Sequence, residues 1–280
     1  MTLPAIGGSL SGRVVLVTGA SAGNGRAAAL ALSAAGASVV GMARSGDRLA
    51  QVDGVVPLVG DVTVAADRQR AIDTVVAEHG RLDVLVNNAG VGAVGLLTDL
   101  TSEQLERLYA TNVLAVADLT RLALPHLRAV PQGDVVMMSS VGAWASVPPL
   151  TAYCSTKFAV DGLVEGLRRE LWRSSVRVHS INPGPVATEW LSRASGWSPG
   201  EGEARPSPGV SPDRVGAAVL KAVLSGHPRT LAVPRVLGMA RLAQVPPVGA
   251  LLDLTLGLAG RRLTDVGQRM TAARSAPAPK

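Results

Sequence analysis

A tyrosine and a lysine four positions apart are the strongest sign of chemistry in this chain. Tyr153 and Lys157 fall at i and i+4 of an Ala- and Leu-rich stretch, so on a helix both project from the same face. A phenol titrates at about pH 10 in water, and a neighbouring ammonium favours the ionised form. The pair therefore predicts a tyrosine that exchanges protons with a substrate near neutral pH.

A glycine-rich turn near the start of the chain predicts a phosphate site. Gly19, Gly23 and Gly25 follow an apolar run and lead directly into an Ala-rich stretch. Between a strand and a helix, such a turn lets a pyrophosphate approach the free amides of the helix N-terminus. Taken alone, the same glycines are equally consistent with an ordinary structural turn.

Two further segments strengthen the nucleotide interpretation. Asp61 comes just after the third apolar run, where its carboxylate can accept a hydrogen bond from an adenine amino group or cap the next helix. Asn87-Asn88-Ala89-Gly90 follows the fourth run, and its small residues would let the backbone approach an adenine ribose. Their order along the chain predicts a dinucleotide site built from several strand ends.

Short apolar runs alternate with Ala- and Leu-rich stretches of helical length. The predicted strands are Val14–Val17, Val39–Met42, Val55–Val59, Val84–Val86, Val135–Met138, Val176–Ile181 and Thr230–Val233. The predicted helices include Gly25–Ala35, Ala65–His79, Ser102–Arg128 and Ala152–Arg173. Apolar runs without polar alternation are typical of strands buried on both faces. The pattern predicts an α/β fold, a doubly wound, seven-stranded parallel sheet of Rossmann type flanked by helices.

Composition places the chain among globular proteins with a large core, since 47% of its 280 residues are hydrophobic and 17% charged. The only cysteine, Cys154, excludes an intramolecular disulfide and favours a reducing, cytoplasmic location. The first residues do not resemble a secretory signal. We expect a catalytic domain over 1–235 that includes a substrate loop at 189–210, a helical extension over 236–272 and a disordered tail at 273–280.

The net charge of +6 lies entirely within residues 201–280, which hold 11 basic and 5 acidic side chains. These arginines form no continuous basic helix and lack interleaved aromatic residues, so nucleic-acid binding is not expected. The apolar segment Val236–Leu258 is too interrupted to span a bilayer. It could pack in the core or an oligomer, cover the substrate, or contact a membrane surface. The four histidines show no metal-ligand spacing, and no metal is expected.

Taken together, these motifs resemble the short-chain dehydrogenase/reductase family (SDR). The resemblance covers residues 10 to 190, and the helix and strand predicted over 212–234 extend it. Asn24 departs from the family pattern, because an aliphatic residue is usual there. The matching residues are Thr18-Gly19-x-x-x-Gly23-x-Gly25, Asp61, Asn87-Asn88-Ala89-Gly90, Asn112, Ser140, Tyr153-x-x-x-Lys157 and Asn182-Pro183-Gly184-Pro185-Val186-x-Thr188.

The resemblance implies a catalytic group of Asn112, Ser140, Tyr153 and Lys157. Tyr153 would exchange a proton with the substrate oxygen while a nicotinamide exchanges a hydride with the carbon. Lys157 would lower the tyrosine pKa and bind the nicotinamide ribose, and Ser140 would polarise the carbonyl. Asn112 would hold a water that connects Lys157 to solvent.

The implied cofactor-binding residues extend along the whole sheet edge. They are Gly19, Ser21, Ala22, Gly23, Asn24, Gly25, Arg44, Ser45, Asp61, Val62, Asn88, Ala89, Gly90, Tyr153, Lys157, Pro183, Gly184, Val186 and Thr188. NAD-preferring relatives carry an acidic residue at the end of the second strand, whereas this chain has Ala43-Arg44-Ser45. Arg44 could bind a ribose 2′-phosphate and would lack an anionic partner without one. The sequence therefore predicts NADP(H), with NAD(H) as the alternative.

The residues expected to border the substrate are apolar and include no fixed charge: Trp144, Val147, Leu150, Trp190 and Leu191. They predict a lipophilic, medium-sized ketone or secondary alcohol, and hence a ketoreductase or alcohol dehydrogenase. The alternatives are a catalytically silent nucleotide-binding scaffold or sensor, and a membrane-surface dehydrogenase of lipids, steroids or retinoids. The predicted helices Ser102–Arg128 and Ala152–Arg173 resemble the family's dimer-forming pair, so a homodimer or homotetramer is expected.

Overall fold

The computed structural model describes residues 9–195, 209–252 and 255. Its strands form one parallel sheet in the order β3-β2-β1-β4-β5-β6-β7. The strands are β1 Val14–Thr18, β2 Ser38–Ala43, β3 Val55–Val59, β4 Val84–Asn87, β5 Gly133–Met138, β6 Val176–Pro183 and β7 Thr230–Val233. The helices are α1 Gly23–Ala34, α2 Gly46–Ala50, α3 Ala65–His79, α4 Ser102–Tyr109, α5 Ala115–Arg128, α6 Thr151–Glu170 and α7 Pro212–Leu224. The predicted seven-stranded Rossmann-type sheet is confirmed.

The sheet has an apolar layer on each face, which explains the unalternating Val and Leu runs. Along β1, Val15 and Val17 belong to a core shared with Ala28 of α1 and Val219 of α7. Leu16 belongs to the opposite core. Successive strand side chains point to opposite faces, so both kinds of position must be apolar when helices cover both sides.

The chain reverses its direction of winding between β1 and β4, and this switch point positions the candidate site. Open α/β sheets bind ligands beside such a point, at the carboxyl ends of the strands. Thr18 ties the two strand ends together, because its hydroxyl accepts hydrogen bonds from the main-chain amides of Asn88 and Ala89, each at 3.0 Å. The glycine turn and the Asn87–Gly90 segment therefore lie side by side.

Side-chain caps mark the starts of α4 and α7, and one predicted helix is corrected. Thr101 and Gln104 form the reciprocal capping box at the start of α4, and the Ser211 hydroxyl accepts a hydrogen bond from the amide of Asp213 at the start of α7. The helix predicted over Ser102–Arg128 is interrupted between α4 and α5 by a π-helical turn, Ala110–Leu114. Such a turn bonds residue i to i+5 and often marks a functional position.

After β7 the chain forms a 3-10 helix, Arg235–Gln244, and residues 246–252 are helical. The rest of the predicted extension over 236–272 lies outside the described residues, apart from residue 255, as does the predicted tail at 273–280. Residues 196–208 of the predicted substrate loop lie outside them as well. Within the described ranges, no helix combines the length and apolarity needed to cross a bilayer.

Candidate active site

Helix α6 places Tyr153 and Lys157 side by side beneath the carboxyl end of β5. The ammonium of Lys157 lies 5.7 Å from the centroid of the Tyr153 ring. Lys157 is buried, and its Nζ donates a hydrogen bond to the carbonyl oxygen of Met138 at 2.9 Å. The Ser140 hydroxyl lies near the Tyr153 hydroxyl and acts to lower the pKa of that phenol. The structure thus brings together three of the four residues in the expected catalytic group.

Ser140 is held in place by the short 3-10 turn that follows β5, Val141–Ala143. Its hydroxyl accepts a hydrogen bond from the amide of Gly142 at 3.1 Å and donates one to the carbonyl oxygen of Pro183 at 3.3 Å. The neighbouring Ser139 is buried and donates to the carbonyl oxygen of Lys157 at 3.4 Å. Ser140 is therefore the serine that faces the tyrosine hydroxyl.

The electrostatics of the pair differ from the sequence expectation. Burial raises the pKa of Tyr153 above its ordinary value, and the nearby Ser140 hydroxyl offsets only part of that rise. Burial also lowers the pKa of Lys157 to about 8, while the Asp161 carboxylate acts in the opposite direction. Spacing alone could not show that both groups would lose their hydration. At neutral pH Tyr153 is a neutral phenol, the form that donates a proton.

Asn112 lies in the π turn and is fully buried. Its amide nitrogen donates to the carbonyl oxygen of Val91 at 2.9 Å and to the Thr156 hydroxyl at 3.1 Å. Its amide oxygen accepts from the amide of Val91 at 2.9 Å. The side chain therefore fastens the loop after β4 to α6, and the expected role of Asn112 in holding a water stays a prediction. The same contacts keep Gly90 beside Lys157, whose Nζ would lie 3.8 Å from a Cβ at that glycine.

The glycine turn leaves the start of α1 open for an anion. The N-cap residue, Ala22, makes no side-chain hydrogen bond, and the first turn carries no acidic residue. Gly23 adopts a positive φ of 54°, and a Cβ there would lie 3.3 Å from the methyl group of Thr188. At Gly25 a Cβ would collide with the carbonyl oxygen of Gly19. The turn is therefore tight, and its free amides fit the phosphates of a dinucleotide.

Asn24 supplies a second observation that fits a bound nucleotide. Its side-chain oxygen is buried and has no hydrogen-bond partner among the described residues. Buried acceptors are almost always paired in folded proteins. An unpaired amide oxygen next to free helix amides fits a ligand that carries both phosphate and amide groups, as a nicotinamide dinucleotide does.

At the expected adenosine end, Arg44 and Asp61 face each other. The Arg44 side chain is 65% exposed, and its Nη1 lies 3.7 Å from a carboxylate oxygen of Asp61. The other carboxylate oxygen accepts hydrogen bonds from the amide and hydroxyl of Thr63. The expectation that Arg44 would lack an anionic partner is therefore wrong. Ser45 is exposed, and its hydroxyl does not cap α2.

The other predicted cofactor residues lie along the same edge of the sheet, and several have structural contacts of their own. The side-chain amide of Asn88 donates a hydrogen bond to the carbonyl oxygen of Thr18 at 2.9 Å, so this side chain joins the ends of β1 and β4. The Gly184 amide donates to the carbonyl oxygen of Val233 at 2.9 Å. The remaining predicted residues at this edge are Ser21, Val62, Ala89, Pro183 and Val186.

Trp190 covers the tyrosine from the substrate side. The two ring centroids lie 4.7 Å apart, with the planes inclined by 60°. The segment that carries Trp190 is fastened to the loop after β4, because the Ser195 amide donates to the carbonyl oxygen of Gly92 at 2.9 Å. Trp190 therefore forms part of the wall around the reacting position.

The other predicted substrate residues differ in their surroundings. Trp144 is buried, its indole N–H donates to Asp161 at 2.8 Å, and the Arg241 guanidinium lies 4.6 Å from its ring. It packs as part of the wall, beneath the segment after β7. Val147 is 37% exposed, and Leu150 is the partly buried N-cap of α6. The side chain of Leu191 lies outside the described part of the structure.

Comparison with known proteins decides the family. The sequence model of the short chain dehydrogenase family matches residues 13–198. The chain belongs to this family. It is 34% identical over 176 residues to a 3-ketodihydrosphingosine reductase of Bacteroides thetaiotaomicron. That match covers 63% of this chain and 65% of the relative, so the chain spans slightly less than two thirds of the relative's length.

Solved structures of the same family superpose on most of the chain. A 3-ketoacyl-(acyl-carrier-protein) reductase of Brucella melitensis, complexed with NADH, has a TM-score of 0.72 and 26% identity, covering 81% of this chain and 99% of that one. An alcohol dehydrogenase of Thermococcus sibiricus, complexed with 5-hydroxy-NADP, has a TM-score of 0.69 and 28% identity, covering 79% and 95%. The chain therefore shares its fold with two nicotinamide-dependent enzymes of the family over about four fifths of its length.

Two residues of this short-chain dehydrogenase were missed by sequence reasoning. A Cβ at Gly92 would lie 2.6 Å from the Trp190 ring, so this glycine gives the ring its place. Arg48 in α2 forms an ion pair with Glu189 at 3.3 Å, which links the adenosine side to the segment carrying Trp190. The basic Arg44-Ser45-Gly46-Asp47-Arg48 turn could have drawn attention to Arg48. Nothing in the sequence marks Gly92.

Proposed function

We propose that this chain is an NADP(H)-dependent reductase of a lipophilic, medium-sized ketone. The observation that carries the proposal is the convergence of Ser140, Tyr153 and Lys157 at the carboxyl edge of the sheet, beside the open N-terminus of α1. An acid, a hydrogen-bond donor and a cation around one position are what carbonyl reduction requires.

A bound, reduced nicotinamide would supply the hydride that reaches the carbonyl carbon. Tyr153 donates its phenolic proton to the carbonyl oxygen, and the Ser140 hydroxyl orients that oxygen. The buried ammonium of Lys157 stabilises the phenolate that remains. Because the pKa of Tyr153 is raised, the phenol is already protonated at neutral pH. The protonated phenol is the form that carbonyl reduction consumes.

The choice of NADP(H) rests on Arg44. Its guanidinium is largely exposed and only loosely paired with Asp61 at 3.7 Å, so it can turn to a more strongly charged partner. A 2′-phosphate offers a dianion and bidentate geometry, which a single carboxylate at that distance does not match. In NAD(H) the arginine would keep Asp61 as its partner, so the unphosphorylated cofactor would bind more weakly without being excluded.

The substrate class rests on the wall around Tyr153. Trp190, Val147 and Leu150 supply apolar surface, and the carboxylate of Glu189 is paired with Arg193 and Arg48. An apolar wall favours a lipophilic ketone. The relative named 3-ketodihydrosphingosine reductase supports this class, since its name specifies a ketone.

We further propose that the enzyme is a homodimer or homotetramer assembled through α4, α5 and α6. Exposed apolar side chains lie on this surface: Tyr109 is 40% exposed, Leu114 64% and Phe158 40%. Surfaces of this kind mark protein contacts when they are contiguous. Light scattering is expected to show an assembly larger than the 28.6 kDa chain, and a purely monomeric species would reject this part of the proposal.

A screen of NADPH and NADH oxidation tests the function. The panel contains steroids, decalones, quinones and β-keto thioesters, with sugar phosphates and small keto acids as polar controls. We expect turnover with one or more lipophilic ketones, faster with NADPH. Turnover confined to the polar controls would reject the substrate class. Tight cofactor binding without turnover of any ketone would favour the silent scaffold.

A further inference from the structure

An exposed apolar stripe follows β7. In a 3-10 helix, residues three apart lie one above another on the same face. The 3-10 helix Arg235–Gln244 therefore carries Val236, Met239 and Leu242 on one face. Exposed apolar side chains continue at every third position through Val245 and the α-helical residues 246–252, and each is at least 40% exposed. This outer stripe consists of Val236, Met239, Leu242, Val245, Val248 and Leu251.

The opposite side of the same segment is anchored on the active site. Leu237 packs against Gly184, where a Cβ would collide with it. Arg241 lies over the Trp144 ring, and the Gln244 amide donates to the carbonyl oxygen of Ala143 at 3.4 Å. These contacts reach both the end of β6 and the turn after Ser140. The outer stripe is thus held facing solvent, on the side of the segment away from the active site.

The positive charge of this segment indicates an anionic partner. Residues 226–252 contain Arg229, Arg235 and Arg241 and no aspartate or glutamate. The whole net charge of the chain lies within residues 201–280. Apolar side chains beside basic ones complement an anionic lipid surface. A second copy of the same stripe would bring like charges together, which disfavours self-association through it.

We propose that the outer stripe docks onto the surface of an anionic lipid bilayer. Its apolar side chains enter the boundary between headgroups and acyl chains, while Arg235 contacts lipid phosphates. Docking also turns the substrate side of the site toward the bilayer. If the proposed reductase function holds, a lipid ketone can pass from the membrane to Tyr153.

Flotation of the full chain with lipid vesicles tests the docking. We expect binding to vesicles that contain phosphatidylglycerol, little binding to pure phosphatidylcholine, and loss of binding at high salt. The pair Met239→Ser and Leu242→Ser is expected to weaken partitioning at least about tenfold. Arg235→Gln removes one surface cation and is expected to weaken it about fivefold.

The matched control is the pair Val56→Ser and Val64→Ser, which are 45% and 46% exposed. Val56 lies in β3, at the edge of the sheet opposite β7. This control should float like the unmodified chain, and cofactor binding by each variant verifies that it is folded.

Four results would overturn the docking. In the first two, the unmodified chain binds no vesicles, or it binds neutral and anionic vesicles equally. In the third, the double variant Met239→Ser and Leu242→Ser binds as well as the unmodified chain. In the fourth, the unmodified chain binds no vesicles but forms an oligomer that this double variant dissociates. Vesicle binding without ketone turnover would leave the docking intact and reject the reductase function alone.

Discussion

Adding one methyl group at Gly92 should displace the aromatic wall of the active site. A Cβ there would lie 2.6 Å and 2.8 Å from two carbons of the Trp190 ring. Carbon atoms require about 3.5–4.0 Å, so the ring must retreat by roughly 1 Å. The φ angle of Gly92 lies outside the left-handed region, and alanine therefore brings no backbone strain of its own.

The displacement has a calculable consequence. Trp190 packs on Tyr153 with a centroid distance of 4.7 Å, a contact worth about 0.5–1.5 kcal/mol. A misplacement of about 1 Å in a group that positions substrate can cost on the order of a hundredfold in rate. We expect Gly92→Ala to lower kcat/KM for a lipophilic ketone by roughly ten- to a hundredfold, without change in the Kd for NADPH.

A double-mutant cycle isolates the cause. Trp190→Ala removes the ring, so in that background the methyl group at Gly92 meets only the Cβ of Ala194, at 3.1 Å. A shift of a few tenths of an ångström relieves that contact, so the methyl group should then alter kcat/KM less than about twofold. The coupling between the two positions should then be at least about 1 kcal/mol. Steady-state kinetics on all four proteins, with cofactor affinity by fluorescence titration, provides the measurement. An equal cost of Gly92→Ala in both backgrounds would refute the proposed contact.

Three further outcomes are expected. Arg44→Ala should weaken NADPH about tenfold or more and NADH by less than about twofold, as measured by fluorescence titration; equal losses would contradict the 2′-phosphate assignment. Because the pKa of Lys157 is about 8 and that of Tyr153 is raised, ketone reduction should decline above about pH 8 as the ammonium loses its proton. Lys157→Arg should move that limb of the pH profile upward, and an unmoved limb would exclude Lys157 as its source. Hydrogen bonds from His179 and Arg177 outweigh burial and lower the pKa of Asp134, so the stability they provide is lost as pH falls through that lowered pKa. Asp134→Asn should cost about 3–5 kcal/mol in urea unfolding at neutral pH, because it leaves buried cations unpaired; a loss below about 1 kcal/mol would contradict this.

The sheet could be predicted from the sequence because its signals are local. Strands buried on both faces carry unbroken apolar runs, such as Val14–Val17 in β1 and Val135–Met138 in β5. The position of the candidate nucleotide cleft could also be predicted, because glycines follow the first apolar run and small polar residues follow the fourth. The proximity of Tyr153 and Lys157 follows from the helical period alone.

Other features depend on contacts between distant segments. The pKa of Tyr153 rises because burial removes water from the phenol, and helix spacing carries no measure of burial. The π turn surrounds Asn112, whose amide binds Val91 on another loop. The approach of Asp61 to Arg44 joins the ends of two different strands. Each of these arises only once the chain has folded.

The most direct test of the central claim compares the two tyrosines of this chain. Tyr153→Phe removes the hydroxyl proposed to protonate the substrate, whereas Tyr109→Phe removes an exposed hydroxyl that bonds Ser155. Single-turnover oxidation of bound NADPH by a ketone substrate is the measurement. We predict that Tyr153→Phe binds NADPH like the unmodified enzyme and loses at least about a hundredfold in rate, while Tyr109→Phe keeps its rate. Turnover retained in Tyr153→Phe would contradict the account.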